Sequence, residues 1–359
     1  MYCLQVIYVF YLTFAWLPKF EINKLRQSFY THTYIMSTCK TLSCSYYHTA
    51  AITPEGKVVC WGYNKFNQCD VPLDLENVVS INCGGYHTVA LTSDGKVVCW
   101  GDNSYNQCDV PSDLENIVSI NCGEDHVAAL TSDRKVVCWG DNSYNQCDIP
   151  SDLENVVAIS CGGNHTASLT TEGKVICWGN NKFNNQCDVP TDLENVVAIS
   201  CGGYHTSALT MEGKVVCWGL NKLNQCDVPL YLENVVSISC GEYYTTALTS
   251  EGKVICWGYN KSSQCDVSPD LENVMAISCS GYYTAALTSK GKVICWGDND
   301  INQCDVPSDL ENVVAISCGE GHTAALTSEG KVVCWGSSVE GQCDVPEGFI
   351  AQTGMVILM

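Results

Sequence analysis

The 359-residue chain is poor in positive charge: 18 lysines and arginines stand against 39 aspartates and glutamates, a formal net charge of −21. That balance disfavours nucleic acid and anionic membrane surfaces as partners. Long apolar runs are also missing. Leu4 to Leu17 is uncharged and aromatic-rich, but at 14 residues it is short for a membrane span. It has no basic segment before it, and Lys19, Lys24 and Arg26 lie on the wrong side for a signal peptide. Residues 1–35 are therefore expected to be an irregular leader or extension, with a signal peptide and an anchor as alternatives. Met36 offers a second start. No Cys-x-x-Cys occurs, so the closely spaced ligand pairs of zinc sites are absent. No nucleophile elbow, phosphate loop or paired-carboxylate motif occurs either. The expectation is a non-enzyme with no catalytic residue, metal or cofactor.

What the chain does have is a repeat. Cys-Trp-Gly opens at Cys60, Cys99, Cys138, Cys177, Cys217, Cys256, Cys295 and Cys334, at intervals of 39 residues except for one of 40 after Cys177. The extra residue falls in Asn180–Gln186. Each unit holds three short β-branched runs, shown by Ile117–Ile120, Thr88–Thr92 and Lys96–Trp100. None is long enough for a helix. Asp94-Gly95 between the second and third runs reads as a hairpin needing positive φ, which glycine supplies. One copy has Asp133-Arg134 instead, so Arg134 should be strained or sit in a different turn. The Gly101–Asn116 connection, with Pro111, reads as loop.

A three-stranded meander that is apolar on both faces cannot bury itself; it needs a neighbour on each side. Radial repetition meets that need. The predicted fold is all-β: a closed β-propeller of three- to four-stranded antiparallel blades, eight from the eight repeats, with seven as the alternative. It should cover 36–352, leaving a tail at 353–359. The first strand at Cys39–Cys44 is degraded, and Phe349–Gln352 is expected to pair beside the first blade and close the ring.

Of 26 cysteines, 24 fall three per repeat, as Cys83, Cys99 and Cys108 do. A metal reading would pair Cys83 with His87 or Cys99 with Cys108, and a disulfide reading requires an oxidising compartment. The expected role is packing, with Cys99 a small hydrophobe in a strand and Cys108 in place of an apolar loop residue. His48, His87, His126, His165, His205 and His322 share one slot that Tyr244 and Tyr283 fill elsewhere. A slot that accepts tyrosine asks for a hydrogen-bonding ring, not a titrating base. The Cys-Trp-Gly tryptophans are expected to pack between blades.

Slots that drift between copies are free of the fold. After Trp-Gly come Tyr63, Asp102, Asp141, Asn180, Leu220, Tyr259, Asp298 and Ser337. Further along come Phe66, Tyr105, Tyr144, Phe183, Leu223, Ser262, Ile301 and Val339. The short Gly loop carries Tyr47, Tyr86, Asp125, Asn164, Tyr204, Tyr243, Tyr282 and Gly321. All of these lie on the face opposite the hairpins. Aromatic side chains on rigid loops among carboxylates suit a protein partner. The candidate contact residues are Phe66, Tyr86, Tyr105, Tyr144, Phe183, Tyr204, Tyr243, Tyr259, Tyr282, Asp102 and Asp141. Asp109, Asp113 and Glu115 are assigned to the same face and Lys96 to the other, giving an acidic face that steers a basic partner. The chain is expected to be a monomer in the cytoplasm, or secreted if residues 1–17 act as a signal peptide.

The pattern Cys-Gly-x-x-His-Thr-x-Ala-Leu-Thr-x-x-Gly-Lys-Val-x-x-Trp-Gly, followed by Asn-x-x-x-Gln, resembles the regulator of chromosome condensation repeat family over about 39–346. The last copy keeps that family's Gly-Gln at Gly341-Gln342. The resemblance implies a β-propeller, usually of seven blades. The short unit is most similar to the compact branch, such as the secreted propeller-type β-lactamase inhibitor protein, whose loops on one face bind a protein. Longer-repeat members include nucleotide-exchange factors for a small GTPase and domains attached to ubiquitin ligases. Their insertions, basic tail and catalytic domain are missing here. Regulation of a small GTPase, a ubiquitin-pathway adaptor role and secreted enzyme inhibition are the alternative functions.

Overall fold

The computed structural model describes residues 40–182 and 184–353. The expected leader, Phe183 and residues 354–359 of the expected tail lie outside that range. Twenty-four strands form eight three-stranded antiparallel sheets in strict chain order, and no helix occurs among the described residues. Blade 1 is β1 (Leu42–Cys44), β2 (His48–Ile52) and β3 (Val58–Gly62); blade 2 is β4 (Val78–Cys83), β5 (His87–Thr92) and β6 (Val97–Gly101). The count of eight stands and the seven-blade alternative falls. Every blade has three strands and none has four. A bulge between Val78 and Ser80 interrupts the ladder and is repeated in the first strand of each later blade.

The ring closes. First strands of all eight blades line one central channel, from Leu42–Cys44 round to Ala315–Cys318. Blade 1 bonds to blade 8 as other blades bond to their neighbours. Cys44 N donates to Ser317 Oγ (3.0 Å) and Trp61 Nε1 to the Gln342 carbonyl (3.1 Å). Gln352 N donates to the Ile52 carbonyl at 2.6 Å and Phe349 packs on Trp61, centroids 5.8 Å apart. The C-terminal segment thus contacts blade 1 through one backbone bond rather than as a strand.

Packing is from blade to blade. The middle strand β5 is buried along its whole length, the condition of a sheet sandwiched on both faces. Trp100 packs with Ala50, Ile52 and Val58 of blade 1 and sends its Nε1–H to the Gln68 carbonyl (3.0 Å). Trp139, Trp218 and Trp335 repeat that bond at 3.0 Å. Burying one such ring contributes on the order of 4–5 kcal/mol. The histidine slot is sealed in the same junction, as the structural reading requires. His48 Nε2 meets Thr88 Oγ1 at 2.9 Å, and His322 meets Thr49 across the closure at 2.7 Å. In blades 6 and 7 Tyr244 and Tyr283 take the slot, each hydroxyl donating to the carbonyl of the next slot residue at 2.5 and 2.6 Å. Around the channel, Ser43, Ser160, Ser200 and Ser278 accept the cysteine N–H of the following blade, joining neighbouring sheets where no ladder does.

The hairpins follow the expected chemistry. Gly95 has φ +80° and donates to the Thr92 carbonyl (3.0 Å). Arg134 takes φ +67° with the same bond to Thr131 (3.0 Å), so it is strained in the standard turn rather than placed in another.

Candidate functional site

Two loops from every blade meet on one face. The inter-blade loop is self-supporting. In blade 1 Asn64 Oδ1 accepts the Cys69 N–H (2.8 Å), and its Nδ2 donates to Asp70 Oδ1 (2.7 Å). Buried Gln68 accepts the Phe66 N–H through Oε1 (3.0 Å). The residue in the Phe66 slot therefore projects from a pinned backbone, and the same glutamine bond holds Tyr105, Tyr144, Leu223, Ser262, Ile301 and Glu340. In the last blade this slot is Glu340, not Val339. The short Gly loop is tied alongside: Asp102 N donates to the Tyr86 carbonyl (2.9 Å). A side chain at Gly101 (φ +112°) would put its Cβ 2.6 Å from that carbonyl, so the glycine of Cys-Trp-Gly is the hinge that lets the two loops touch.

The drifting aromatics gather into two clusters. Tyr46, Tyr47, Tyr63, Phe66 and Tyr86 form one, with Tyr47 and Tyr86 stacked at 6.0 Å and Phe66 edge-on to Tyr86 at 5.3 Å. Tyr204, Tyr243, Tyr259 and Tyr282 form the other. Tyr204 stacks on Tyr243 at 5.3 Å and Tyr243 on Tyr282 at 6.4 Å, with Tyr259 edge-on to Tyr282 at 6.0 Å. Six candidate residues thus fall into clusters: Phe66, Tyr86, Tyr204, Tyr243, Tyr259 and Tyr282. Tyr105 and Tyr144 are exposed but stand outside both, with Lys182 Nζ 6.0 Å from the Tyr144 ring. Asp102 and Asp141 have local duties. Asp102 Oδ1 accepts from Ser104 and its Oδ2 from Gln107 Nε2 (3.2 Å), and Asp141 does the same with Ser143 and Gln146.

Between the clusters, round the channel's end, lies a ring of positions absent from the candidate set. It carries Tyr46, Glu124, Glu242 and Glu320 where other blades have glycine. Burial pushes the Glu242 carboxyl above its ordinary range, and Glu320 and Glu124 reinforce the shift. Glu320 is raised by burial and by Glu124. Asp125, next to this ring, is pushed up to about 6 by burial and then by Glu124, Asp102 and Asp141. The sequence signal was the replacement of a loop glycine by glutamate in three copies. Among the described residues, no group of His, Cys, Asp and Glu is arranged to hold a metal ion.

The expected polarity between faces is not found. Ile117 N donates to the Gly95 carbonyl and Ser132 N to the Asn116 carbonyl, so the end of each connection lies against the hairpins. Asp113 and Glu115 are on the lysine side, and Lys135 feels both Asp133 and Glu154. The three ion pairs found among the described residues are all within hairpins: Lys135–Asp133, Lys174–Glu172 and Lys253–Glu251, at 2.9, 3.1 and 3.1 Å. Hairpin lysines are answered by their own hairpin carboxylates, the carboxylates at the end of each connection add to the same face, and acid is therefore spread over both faces.

The cysteines also depart from expectation. The strand and loop cysteines of one blade adjoin each other. Cys256 and Cys265 are disulfide-bonded, and Cys99 Sγ lies 2.8 Å from Cys108 Sγ.

The RCC1-like domain family model matches residues 113–354, and the regulator of chromosome condensation (RCC1) repeat model matches 39–68 and 78–107. No curated protein matches the sequence. Among solved structures, the ectodomain of the Physcomitrella patens receptor kinase CR4 is similar at 23% identity. It covers 72% of this chain and 74% of its own, with a TM-score of 0.57. The CRINKLY WD40 ectodomain of the Arabidopsis thaliana receptor kinase ACR4 is 20% identical, covering 72% and 97%, with a TM-score of 0.54. Prp20p from Saccharomyces cerevisiae, described with its binding to Gsp1p and histones, is 19% identical over 88% of this chain and 84% of its own, with a TM-score of 0.54.

Proposed function

The chain belongs to the family of RCC1-like domains, and from that premise we propose that it is a non-enzymatic propeller that binds a protein partner on its loop face. One observation carries this reading. Tyrosines from neighbouring blades form two half-buried stacked clusters on the short Gly loops, which backbone bonds such as Tyr63 N to the Tyr47 carbonyl and Tyr259 N to the Tyr243 carbonyl tie to inter-blade loops fixed by their own Asn–Asp and Gln bonds. Rigid aromatic anchors lose little entropy on binding and are the side chains on which interface energy concentrates. The glutamates between the clusters favour a partner that presents a basic segment.

The test is affinity capture with the purified chain, followed by the same capture with Tyr204, Tyr243 and Tyr282 changed together to alanine. Loss of each anchor should cost ~1–2 kcal/mol, so the triple variant should lose its partner. A matching change at hairpin lysines Lys96, Lys174 and Lys214 should not matter. A partner that stays on the tyrosine variant and leaves the lysine variant would sink the proposal. Regulation of a small GTPase is the rival that the likeness to Prp20p alone would suggest, and nucleotide-release assays with candidate GTPases decide it.

A further inference from the structure

We infer that the third-strand cysteine and the loop cysteine of every blade form an intrablade disulfide site, eight in all, each closing the loop that follows Cys-Trp-Gly. The pairs are Cys60–Cys69, Cys99–Cys108, Cys138–Cys147, Cys177–Cys187, Cys217–Cys226, Cys256–Cys265, Cys295–Cys304 and Cys334–Cys343. Cys256 and Cys265 are bonded, with Cα atoms 4.9 Å apart, inside the disulfide range. Cys99 and Cys108 sit with sulfurs 2.8 Å apart, closer than the ~3.5 Å at which unbonded heavy atoms ordinarily rest.

The frame that holds the loop cysteine is the same in the bonded blade and in six of the open ones, and in blade 8 Ser338 takes the asparagine's place and donates to Asp344 Oδ1 at 2.9 Å. In blade 6 Cys265 N donates to Asn260 Oδ1 at 2.7 Å, and Asn260 Nδ2 to Asp266 Oδ1 at 2.8 Å. In blade 2 the same two bonds, Cys108 to Asn103 and Asn103 to Asp109, are both 2.8 Å. The unit with the extra residue keeps them too, Cys187 to Asn181 at 3.0 Å and Asn181 to Asp188 at 2.6 Å. On the strand side, Cys99, Cys138 and Cys256 all reach the carbonyl of the glutamine just before their loop partner. Closing a pair therefore asks for no change of loop. The first-strand cysteines differ: Cys83, Cys201, Cys240 and Cys318 each turn to a carbonyl of the preceding blade.

The reaction is thiol–disulfide exchange with a small-molecule disulfide as oxidant. The loop thiolate attacks the reagent, forming a mixed disulfide and releasing one thiol. The strand thiolate then attacks the loop sulfur, forming the intrablade bond and releasing the second thiol. Two S–H bonds are lost, one S–S bond forms, and both protons and both electrons leave with the reduced reagent. Burial pushes the loop thiols Cys69, Cys187, Cys226, Cys304 and Cys343 up to about 12, so little thiolate is present at neutral pH and closure speeds up in alkali. Each closed ring contains the variable loop slots, among them half-buried Tyr63 and exposed Phe66 in blade 1 and half-buried Tyr259 in blade 6.

The full chain, reduced and then exposed to oxidised glutathione at pH 9, is assayed by thiol alkylation and disulfide-mapping mass spectrometry. The 26 thiols of the reduced chain should fall to ten as sixteen sulfurs pair, and every mapped bridge should join a strand cysteine to its own loop. Cys108→Ser, a loop change away from the packed junction, should remove one bridge and leave Cys99 free with the other seven bridges intact. A count that stays near 26, or bridges that join neighbouring blades such as Cys60 to Cys83, would overturn the assignment.

Discussion

Val127→Thr should stabilise the propeller, against the usual cost of putting a hydroxyl into a core. Five histidines of the junction slot meet a threonine hydroxyl of the next blade: His48, His126, His165, His205 and His322, at 2.7–3.0 Å. In four of these pairs that hydroxyl gives its proton to a loop carbonyl, as Thr88 does to Gln68 at 3.0 Å and Thr166 to Gln146 at 3.0 Å, and Thr49 gives its own to Cys44 Sγ. The histidine must then donate through Nε2–H. His87 is the exception. Its counterpart in blade 3 is Val127, and both ring nitrogens of His87 are buried without a partner. The carbonyl that the new hydroxyl would need, that of Gln107, is in place and accepts Trp139 Nε1. Two restored hydrogen bonds bring ~1 kcal/mol each, and the lost methyl burial takes back about 1 kcal/mol. The net gain should be about 1 kcal/mol. Urea unfolding followed by tryptophan fluorescence should show a higher midpoint with an unchanged slope. The reciprocal Thr166→Val, which strands His126, should cost ~1–3 kcal/mol. Coupling decides the matter: with His87→Leu in the background, Val127→Thr should lose its benefit. If Val127→Thr has the same effect with or without the imidazole, the hydrogen-bond account of the junction is wrong.

The same imidazoles set a pH dependence. Burial, helped by neighbouring imidazoles, holds His48 and His165 down to about 3, and burial holds His87, His126, His205 and His322 to about 4. Their unfolded value is ~6.5, so the unfolded chain takes up protons first. Stability should be full above about pH 6.5 and fall as pH drops toward 4. Asp125, raised to about 6, and Glu242 and Glu320, also raised by burial, work in the opposite direction, but they are three carboxyls against six imidazoles. The urea midpoint should therefore fall from pH 7 to pH 4.5, and His205→Tyr, copying Tyr244, should flatten the slope. A midpoint constant over that range would refute the burial argument. Arg134→Gly should add about 1 kcal/mol, because the turn keeps its bonds and loses a left-handed non-glycine residue. An unchanged or lower urea midpoint would show that the arginine side chain contributes something the turn geometry does not reveal.

The repeat made the architecture legible because eight copies separate what the fold requires from what it tolerates. A slot that reads His or Tyr, and a tryptophan that never varies, could be assigned to the blade junction without coordinates. The placement of Asp113 and Glu115 follows from strand direction alone. In a meander, the first and third strands run the same way, so a third strand ending on the loop face must be followed by a connection that crosses to the hairpin side. The cysteine pairs were not legible. A spacing of nine residues says nothing about contact until the Asn64–Asp70 bridge is seen to fold the loop back on its own strand. For the site, adjacency in the ring is the step the slots alone do not supply. Copies that follow each other in sequence stand side by side, so tyrosines in consecutive copies must meet. Tyr47 and Tyr86 do, and so do Tyr204, Tyr243 and Tyr282. Tyr105 and Tyr144 hold a more outlying slot, and their neighbours in the short Gly loop are Asp125 and Asn164, so they remain single. The place to look for a partner's footprint is a run of aromatic copies in consecutive blades, because only there does drift in a loop slot add up to a continuous surface.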